Sequence, residues 1–592
     1  MSTYQPPLND MQFVIEELSS FDALMSIPGF DELDHETVGS ILEEAGKLAT
    51  DVLEPCNAAG DQIGAQIDGD NVIAAPGFGE AYQEFVNGGW PSLAAAPEFG
   101  GQGLPALLSF AVDELVNSSN LSFSLCPMLT QAAVEALEIH GSTALKDTYL
   151  PNLISGQWTG TMDLTEPQAG SDLAAIRCQA LPEGDHYRLK GTKIYISWGD
   201  HSMAENIIHM VLARLPDAPD GVRGISLFLV PKFVLNDDGT PGPRNDFKPV
   251  SIEHKMGIHG SPTCVLQFGA NEGALGYLIG EPNKGLMYMF TMMNNARLKV
   301  GLEGLGISER AYQHARAWAF ERVQGRPPGG TDTSPIAGHP DVRRMLMLQK
   351  SITEAMRVMI YTTAADTDLA QRAPDEDQRA HHQARVDLMV PIVKTWCTEL
   401  SQEVASLGIQ IYGGMGYIEE TGATQFYRDA RITTIYEGTT GIQAQDFAGR
   451  KIIRDSGRAV YALCDEIEDT ILQLGAADMN HEADALTQGL ASMRISVAWL
   501  LDNYADDQFV TNSACYNLLM NCSTVVAAWG LARGALAAQR RLKNKADGTR
   551  YLQGKISTAR FFFDHVLPRA LSFGQSACAA SDTVMGLADD QF

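Results

Sequence analysis

The spacing of apolar positions changes along the chain. Val38, Ile41, Leu42, Ala45, Leu48 and Val52 recur every three or four residues behind Asp34, an acidic residue placed to cap a helix. The Gly/Pro-rich stretch around Pro97–Pro105 predicts a loop. Beyond about residue 156 the pattern shortens. His186–Ser197 alternates, with a turn expected at Lys190–Gly191, and Asn206–Leu215, Gly224–Val230 and Cys264–Gly269 are short apolar or β-branched runs between turn residues. Helical spacing returns from about Leu286. Val300, Leu305, Ala311, Ala315, Trp318 and Phe320 fall on one long helix ended by Arg326–Pro335, and Val460, Leu463, Ile467 and Ile471 mark a later one. The expected organisation is α+β, in four parts: a helical region 1–155, a β domain 156–280, a helical domain 281–455 and a further helical domain 456–592.

Composition narrows the class. A chain of 592 residues, 45% hydrophobic and 20% charged, has a globular balance and is too long for one core. The start, with acidic Asp10, Glu16 and Glu17 and no apolar h-region, predicts no signal or transit peptide, and no apolar run reaches membrane-spanning length, so a cytoplasmic protein without a membrane partner is expected. Nine scattered cysteines predict buried thiols, neither a disulfide framework nor a metal site. A net charge of −30 argues against a nucleic-acid partner, and it obliges any anionic ligand to find a local basic patch.

Six strings carry the chemistry. Met162–Asp172 (Met-Asp-Leu-Thr-Glu-Pro-Gln-Ala-Gly-Ser-Asp) sets small and hydroxyl residues at the mouth of the β domain, where backbone amides can approach a planar or anionic ligand. Lys193–Trp198 (Lys-Ile-Tyr-Ile-Ser-Trp) and Glu253–Cys264, the latter with His254 and His259, lead through or into strands. Asn294–Arg297, on the long helix, and Glu321–Gly325, at its end, together form the fourth. Gln410–Tyr417 is rich in glycine but lacks the strand–turn–helix context of a dinucleotide fingerprint. Arg428–Arg431 leads to Ile435–Gly441 (Ile-Tyr-Glu-Gly-Thr-Thr-Gly), where a β-branched run ends in a Gly/Thr turn bearing one carboxylate.

In this order and over about residues 35–455, the strings resemble the acyl-CoA dehydrogenase family. The His-Gly-Ser-Pro-Thr-Cys form at 259–264 resembles its larger subgroup, which includes 3-methylmercaptopropionyl-CoA dehydrogenases. The resemblance implies the family fold of N-terminal helical domain, middle β domain and C-terminal helical bundle, with FAD as cofactor. Met162, Leu164 and Thr165 would line the flavin, Tyr195 and Ser197 its edge, and Ser171 would lie beside the CoA chain and the cofactor. Tyr195 stands where Trp is commoner, and Trp198 where a small or amide residue is usual. Arg297 would lie near the thioester. Arg322, Gln324, Gln410 and Gly414 would reach the FAD of a neighbouring subunit, with Thr439 also against the cofactor and Gly438 against the substrate. Gly325 replaces a commoner Phe. Glu437 matches the catalytic base; the alternative base position on the earlier helix is Ala296. His254 and His259 are expected to be structural.

The activity implied is α,β-desaturation of an acyl-CoA, with 3-methylmercaptopropionyl-CoA or a short or medium straight chain as substrate and electron-transfer flavoprotein as acceptor. Residues 456–592 imply a homodimer. An acyl-CoA oxidase would have the same fold, FAD and glutamate, and a remoter alternative on this fold is a DNA-binding flavoprotein of the alkylation response, which needs a basic stripe that this chain lacks.

Overall fold

The computed structural model describes residues 4–30, 33–544 and 547–592. The chain gathers into two compact units, Glu44–Lys299 and Met1–Glu43 with Val300–Phe592.

In the first, one sheet holds eight strands among the described residues. Phe247–Ile252, Thr263–Phe268, His186–Ser197, Ala274–Ile279, Ile225–Pro231, Asn206–Arg214 and Trp158–Asp163 lie in that order, with Gln179–Glu183 beside His186–Ser197. Trp158–Asp163 pairs in parallel with Asn206–Arg214, so that Met162 lies opposite Met210. Leu189, Ile196, Val211, Phe228, Val230, Leu266 and Phe268 form the sheet's core. Asn206–Val211 and Ile225–Pro231 are buried at every position, which explains why they read as continuous apolar runs. The helix Leu121–His140 packs on the Trp158–Asp163 strand.

Lys190–Gly191 is not a turn. His186–Ser197 runs straight through it as one strand. A Cβ on Gly191 would stand 2.9 Å from the Cα of Cys178, so this glycine serves close approach of two backbones. The helix His35–Lys47 begins as expected, with the Thr37 amide donating to Asp34 Oδ1 at 2.7 Å.

In the second unit the long helices Pro340–Arg372 and Glu376–Tyr412 pack along each other and against Val510–Lys543, whose stretch Leu518–Ala532 is buried on all sides. The later helices, with Val460, Leu463 and Ile467 buried as their spacing predicted, therefore share a core with the earlier bundle.

The helix Leu8–Leu18 belongs here too. Its buried Asp10 accepts from Lys555 Nζ at 2.6 Å and Tyr551 Oη at 2.9 Å, and pairs with the Arg357 guanidinium. Burial alone would push the Asp10 carboxyl up; Lys555, Arg357 and Lys350 outweigh it and hold it well below the usual carboxylate range. No helix among the described residues is long and apolar enough to cross a membrane. All nine cysteines are free, eight of them buried.

Candidate active site

The residues of the first two strings sit at strand ends in the unit Glu44–Lys299. Met162 is buried at the end of Trp158–Asp163, and Leu164 and Thr165 are half-buried just beyond it. Their backbone is pinned to the neighbouring strand: the Ile194 amide donates to the Thr165 carbonyl at 2.9 Å, and Lys193 Nζ donates to the Leu164 carbonyl at 2.9 Å. The same ammonium, fully buried, pairs with Glu166 at 2.9 Å. Glu166 also accepts from the amides of Arg177 and Cys178, at 2.7 and 3.0 Å, and from Gln168 Nε2. Burial would raise the Glu166 carboxyl; Lys193 and these amides win, and it lies below its ordinary value. One buried carboxylate thus ties off the loop carrying Thr165 and Ser171. Ser171 itself is exposed.

Ser197 lies between two left-handed residues, Tyr195 (φ +60°) and Trp198 (φ +53°). Tyr195 is 61% exposed, whereas Trp198 is buried, donates from Nε1 to the Ser122 carbonyl at 3.1 Å and stacks on Phe78. The Trp198 ring is thus taken up by the interior. Thr159, two residues before the Thr161–Met162 step, bonds His201, whose other ring nitrogen accepts from the Met203 amide; burial lowers this imidazole to about 3, so it is a neutral strut. His259 is held between the carbonyls of Asp61 and Lys255, a structural setting.

Arg297 is buried near the end of this unit's chain, on the Gly285–Glu321 helix. One residue earlier Ala296 is fully buried. Flanking them, Asn295 Nδ2 donates to Glu135 at 2.6 Å, and Lys299 bonds Asp113 at 2.9 Å and Gln131. Burial raises the Glu135 carboxyl.

The remaining residues lie in the other unit, in two groups. At one end, Arg322 Nη2 donates to Gln324 Oε1 at 3.1 Å, and the Gln324 carbonyl faces His339 Nε2 at 2.9 Å. The Glu376–Tyr412 helix ends nearby: Tyr412 stacks on Trp318 and His314, with ring centroids 4.6 and 4.8 Å away. This stack brings Arg322 and Gln324 to the same end of the bundle as Gln410 and Gly414, both exposed.

The second group is the turn after the helix Ala423–Thr433, which takes in Ile432 and Thr433 of the β-branched run. Glu437 is half-buried at φ +54°, a left-handed conformation that costs a non-glycine residue about 1–2 kcal/mol, and Gly438 follows at φ +93°. Lys394 Nζ donates to the Gly438 carbonyl at 2.7 Å. Gln443 Nε2 reaches the Glu437 carbonyl at 3.5 Å. Tyr436 donates its hydroxyl to the buried Glu303. Thr439 caps the helix Thr440–Asp446, its hydroxyl accepting from the Ile442 amide at 3.3 Å.

Glu303 and Lys394 lie outside every string, and the pairing of Lys193 with Glu166, each inside a different string, was not read from the sequence. The available signal was a charge among apolar neighbours in a strand or long helix, which must find a partner if buried.

Four family models match in chain order: the acyl-CoA dehydrogenase N-terminal domain over residues 41–157, middle domain over 161–270 and C-terminal domain over 283–452, and the acetyl-CoA dehydrogenase C-terminal-like model over 463–588. The 3-methylmercaptopropionyl-CoA dehydrogenase of Ruegeria pomeroyi is 45% identical over 570 residues, covering 95% of this chain and 96% of its own. A butyryl-CoA dehydrogenase of Syntrophomonas wolfei is 33% identical, covering 100% and 99%. Among solved structures, Caenorhabditis elegans ACDH-11 in complex with C11-CoA has the same fold, with a TM-score of 0.78 at 21% identity over 96% of this chain and 93% of its own. With its domains matched in order and its full length covered by such relatives, this chain belongs to the acyl-CoA dehydrogenase family.

Proposed function

We propose that this acyl-CoA dehydrogenase uses FAD and Glu437 to desaturate a short thioether acyl-CoA, 3-methylmercaptopropionyl-CoA, giving methylthioacryloyl-CoA. The observation that carries the reaction is the turn around Glu437: a carboxylate on strained left-handed backbone, with its neighbours Tyr436 and Gly438 each held by a buried side chain. Such a turn persists only where its surroundings over-determine it. The substrate rests on the 45% identity over 570 residues to an enzyme so named.

The residues of this chain fit the cofactor. An exposed tyrosine ring on left-handed backbone, beside the Ser197 hydroxyl and the half-buried Leu164 and Thr165, presents aromatic, apolar and hydrogen-bonding groups suited to a planar, partly polar ring. Met162, Leu164, Thr165, Tyr195 and Ser197 would hold the flavin. Arg322, Gln324, Gln410 and Gly414, with Thr439, would hold the rest, the first four across a homodimer.

FAD supplies an acceptor for the hydride leaving the β carbon. The chain's own part is the proton. Glu437 takes it from the α carbon as that bond breaks, and its amide donates to the thioester carbonyl where enolate charge develops. Arg297 and Ser171 position the thioester and the CoA chain. The chain would work as a cytoplasmic homodimer, with electron-transfer flavoprotein as the electron acceptor.

The test is an anaerobic titration of the purified flavoprotein with acyl-CoAs. Stoichiometric bleaching by 3-methylmercaptopropionyl-CoA, at lower concentration than butyryl-CoA, is expected. Bleaching by straight chains alone would remove the thioether substrate, and rapid peroxide formation in air would move the enzyme to the oxidases.

A further inference from the structure

Glu303 is one acidic residue among 73 and lies outside every motif. It sits on the Gly285–Glu321 helix, 1% exposed, between two glycines that the helix packing requires. A Cβ on Gly301 would stand 2.7 Å from Val393 Cγ1, and one on Gly304 would stand 2.7 Å from the Cys397 carbonyl oxygen. Both neighbours are on the Glu376–Tyr412 helix, and Lys394 follows Val393 directly. The bare faces of Gly301 and Gly304 therefore let the two backbones close on each other, which brings Glu303 and Lys394 to the same turn.

There the two side chains divide the work. Glu303 Oε2 accepts the Tyr436 hydroxyl, and Lys394 donates to the Gly438 carbonyl at 2.7 Å. Glu437 lies between those contact points. Glu303 Oε1 is buried with no hydrogen-bond partner among the described residues, an arrangement that penalises an ionised carboxylate more than a neutral one.

Resting on the reading of Glu437 as the base, we propose that Glu303 is a positioning residue for it: Glu303 through the Tyr436 hydroxyl, and Lys394 through the Gly438 carbonyl, clamp the left-handed turn that aims the Glu437 carboxylate. Every charged group facing this clamp bears on its state. Burial pushes the Glu303 carboxyl up to about 8, with Glu437 adding to the rise and the Tyr436 bond and Lys394 opposing it. Tyr436 is raised well above its ordinary value by burial, Glu303, Glu437 and the more distant Asp429. At neutral pH the clamp is therefore a neutral carboxyl holding a neutral phenol. Ionisation above about pH 8 puts a second negative charge beside the base and an unsatisfied anion in the interior.

The folded chain keeps this proton where the unfolded chain, with an ordinary carboxyl, has lost it. Stability contributed by the neutral form is thus lost progressively from about pH 4.5 to about pH 8 and falls no further beyond. Glu303→Gln keeps an acceptor for Tyr436 and cannot ionise.

The test compares the FAD-loaded wild type with Glu303→Gln, Glu303→Leu, Tyr436→Phe and Glu437→Gln, reading the rate of substrate-driven flavin bleaching, KM, FAD content and melting temperature from pH 6 to 9.5. Glu303→Leu and Tyr436→Phe should bleach at least tenfold more slowly, with KM changed less than threefold and FAD retained. Glu303→Gln should recover to within threefold of wild type at pH 7, should lack the wild type's alkaline decline, and should melt at a temperature that gains on wild type from pH 6 to 8. If Glu303→Leu does not retain FAD, Tyr436→Phe, which deletes one oxygen, carries the test. Wild-type rates in Tyr436→Phe, or an alkaline decline kept in Glu303→Gln, would overturn the clamp while an inactive Glu437→Gln leaves the base in place. An active Glu437→Gln would overturn both.

Discussion

Replacing Lys193 by Met removes the ammonium that pins the loop carrying Thr165 and Ser171 and leaves the side-chain volume nearly unchanged. Lys193 is fully buried and Glu166 is 4% exposed, with 2.9 Å between them, so screening by water is slight. Breaking a buried pair by deleting one partner costs about 3–5 kcal/mol, because the other charge stays behind. Glu166 would keep the Arg177 and Cys178 amides and Gln168, which places the loss at the low end. The Leu164 carbonyl also loses its donor, at about 1 kcal/mol.

A local loss of about 3–4 kcal/mol corresponds to opening roughly 10²–10³-fold more often. Hydrogen exchange of the Arg177, Cys178 and Ile194 amides, all bonded within this loop, reads that opening directly. The pH dependence has a fixed sign. Glu166 is held below its ordinary value, so the pair's contribution is complete above about pH 4.5 and fades as pH falls through the folded value. The gap between variant and wild type should be widest near pH 7 and narrow in acid. Adding Glu166→Gln removes the stranded charge and should return about half of the loss. An exchange change below about threefold, or a double variant no better than Lys193→Met alone, would show that the Lys193–Glu166 pair does not hold this loop.

Three further outcomes follow. Asp10→Ala strips the common partner from Arg357, Lys555 and Tyr551 and should destabilise the unit holding the C-terminal helices by about 3–5 kcal/mol, seen as a lower melting temperature with FAD chemistry intact in the folded fraction. Gly304→Ala forces a methyl against the Cys397 backbone, so the helices must part at an overpacking cost of about 1–3 kcal/mol; bleaching should slow more than tenfold while FAD content holds. Trp198→Leu should lower thermal stability by about 3 kcal/mol while leaving the flavin spectrum little changed, because its ring is buried against Phe78 and Ser122; a large spectral shift would contradict that placement.

The parts of the fold legible in the sequence were those with a strong local signal. Strands buried on both faces showed as apolar runs, and the Asp34 cap marked its helix start. Gly191 misled, because a glycine next to a lysine has the same appearance in a turn as in a strand pressed against another backbone. Asp10 was read only as part of an acidic N-terminal stretch, yet it is buried against Arg357 and Lys555, partners more than 300 residues away that no local pattern can announce.

The site divides the same way. Contiguous strings such as Tyr436–Glu437–Gly438–Thr439 were readable because their chemistry lies on adjacent residues. Lys193, Glu166, Glu303 and Lys394 act through tertiary contacts made only once strands and helices have packed, and singly they are indistinguishable from solvated charges.

The assignment of Glu437 as the base that takes the α proton is tested by anaerobic stopped-flow bleaching of Glu437→Gln loaded with FAD and mixed with saturating 3-methylmercaptopropionyl-CoA. Loss of a general base should slow bleaching by at least about 10²-fold, with FAD content and acyl-CoA binding preserved. Bleaching within a few-fold of the wild-type rate would contradict the assignment.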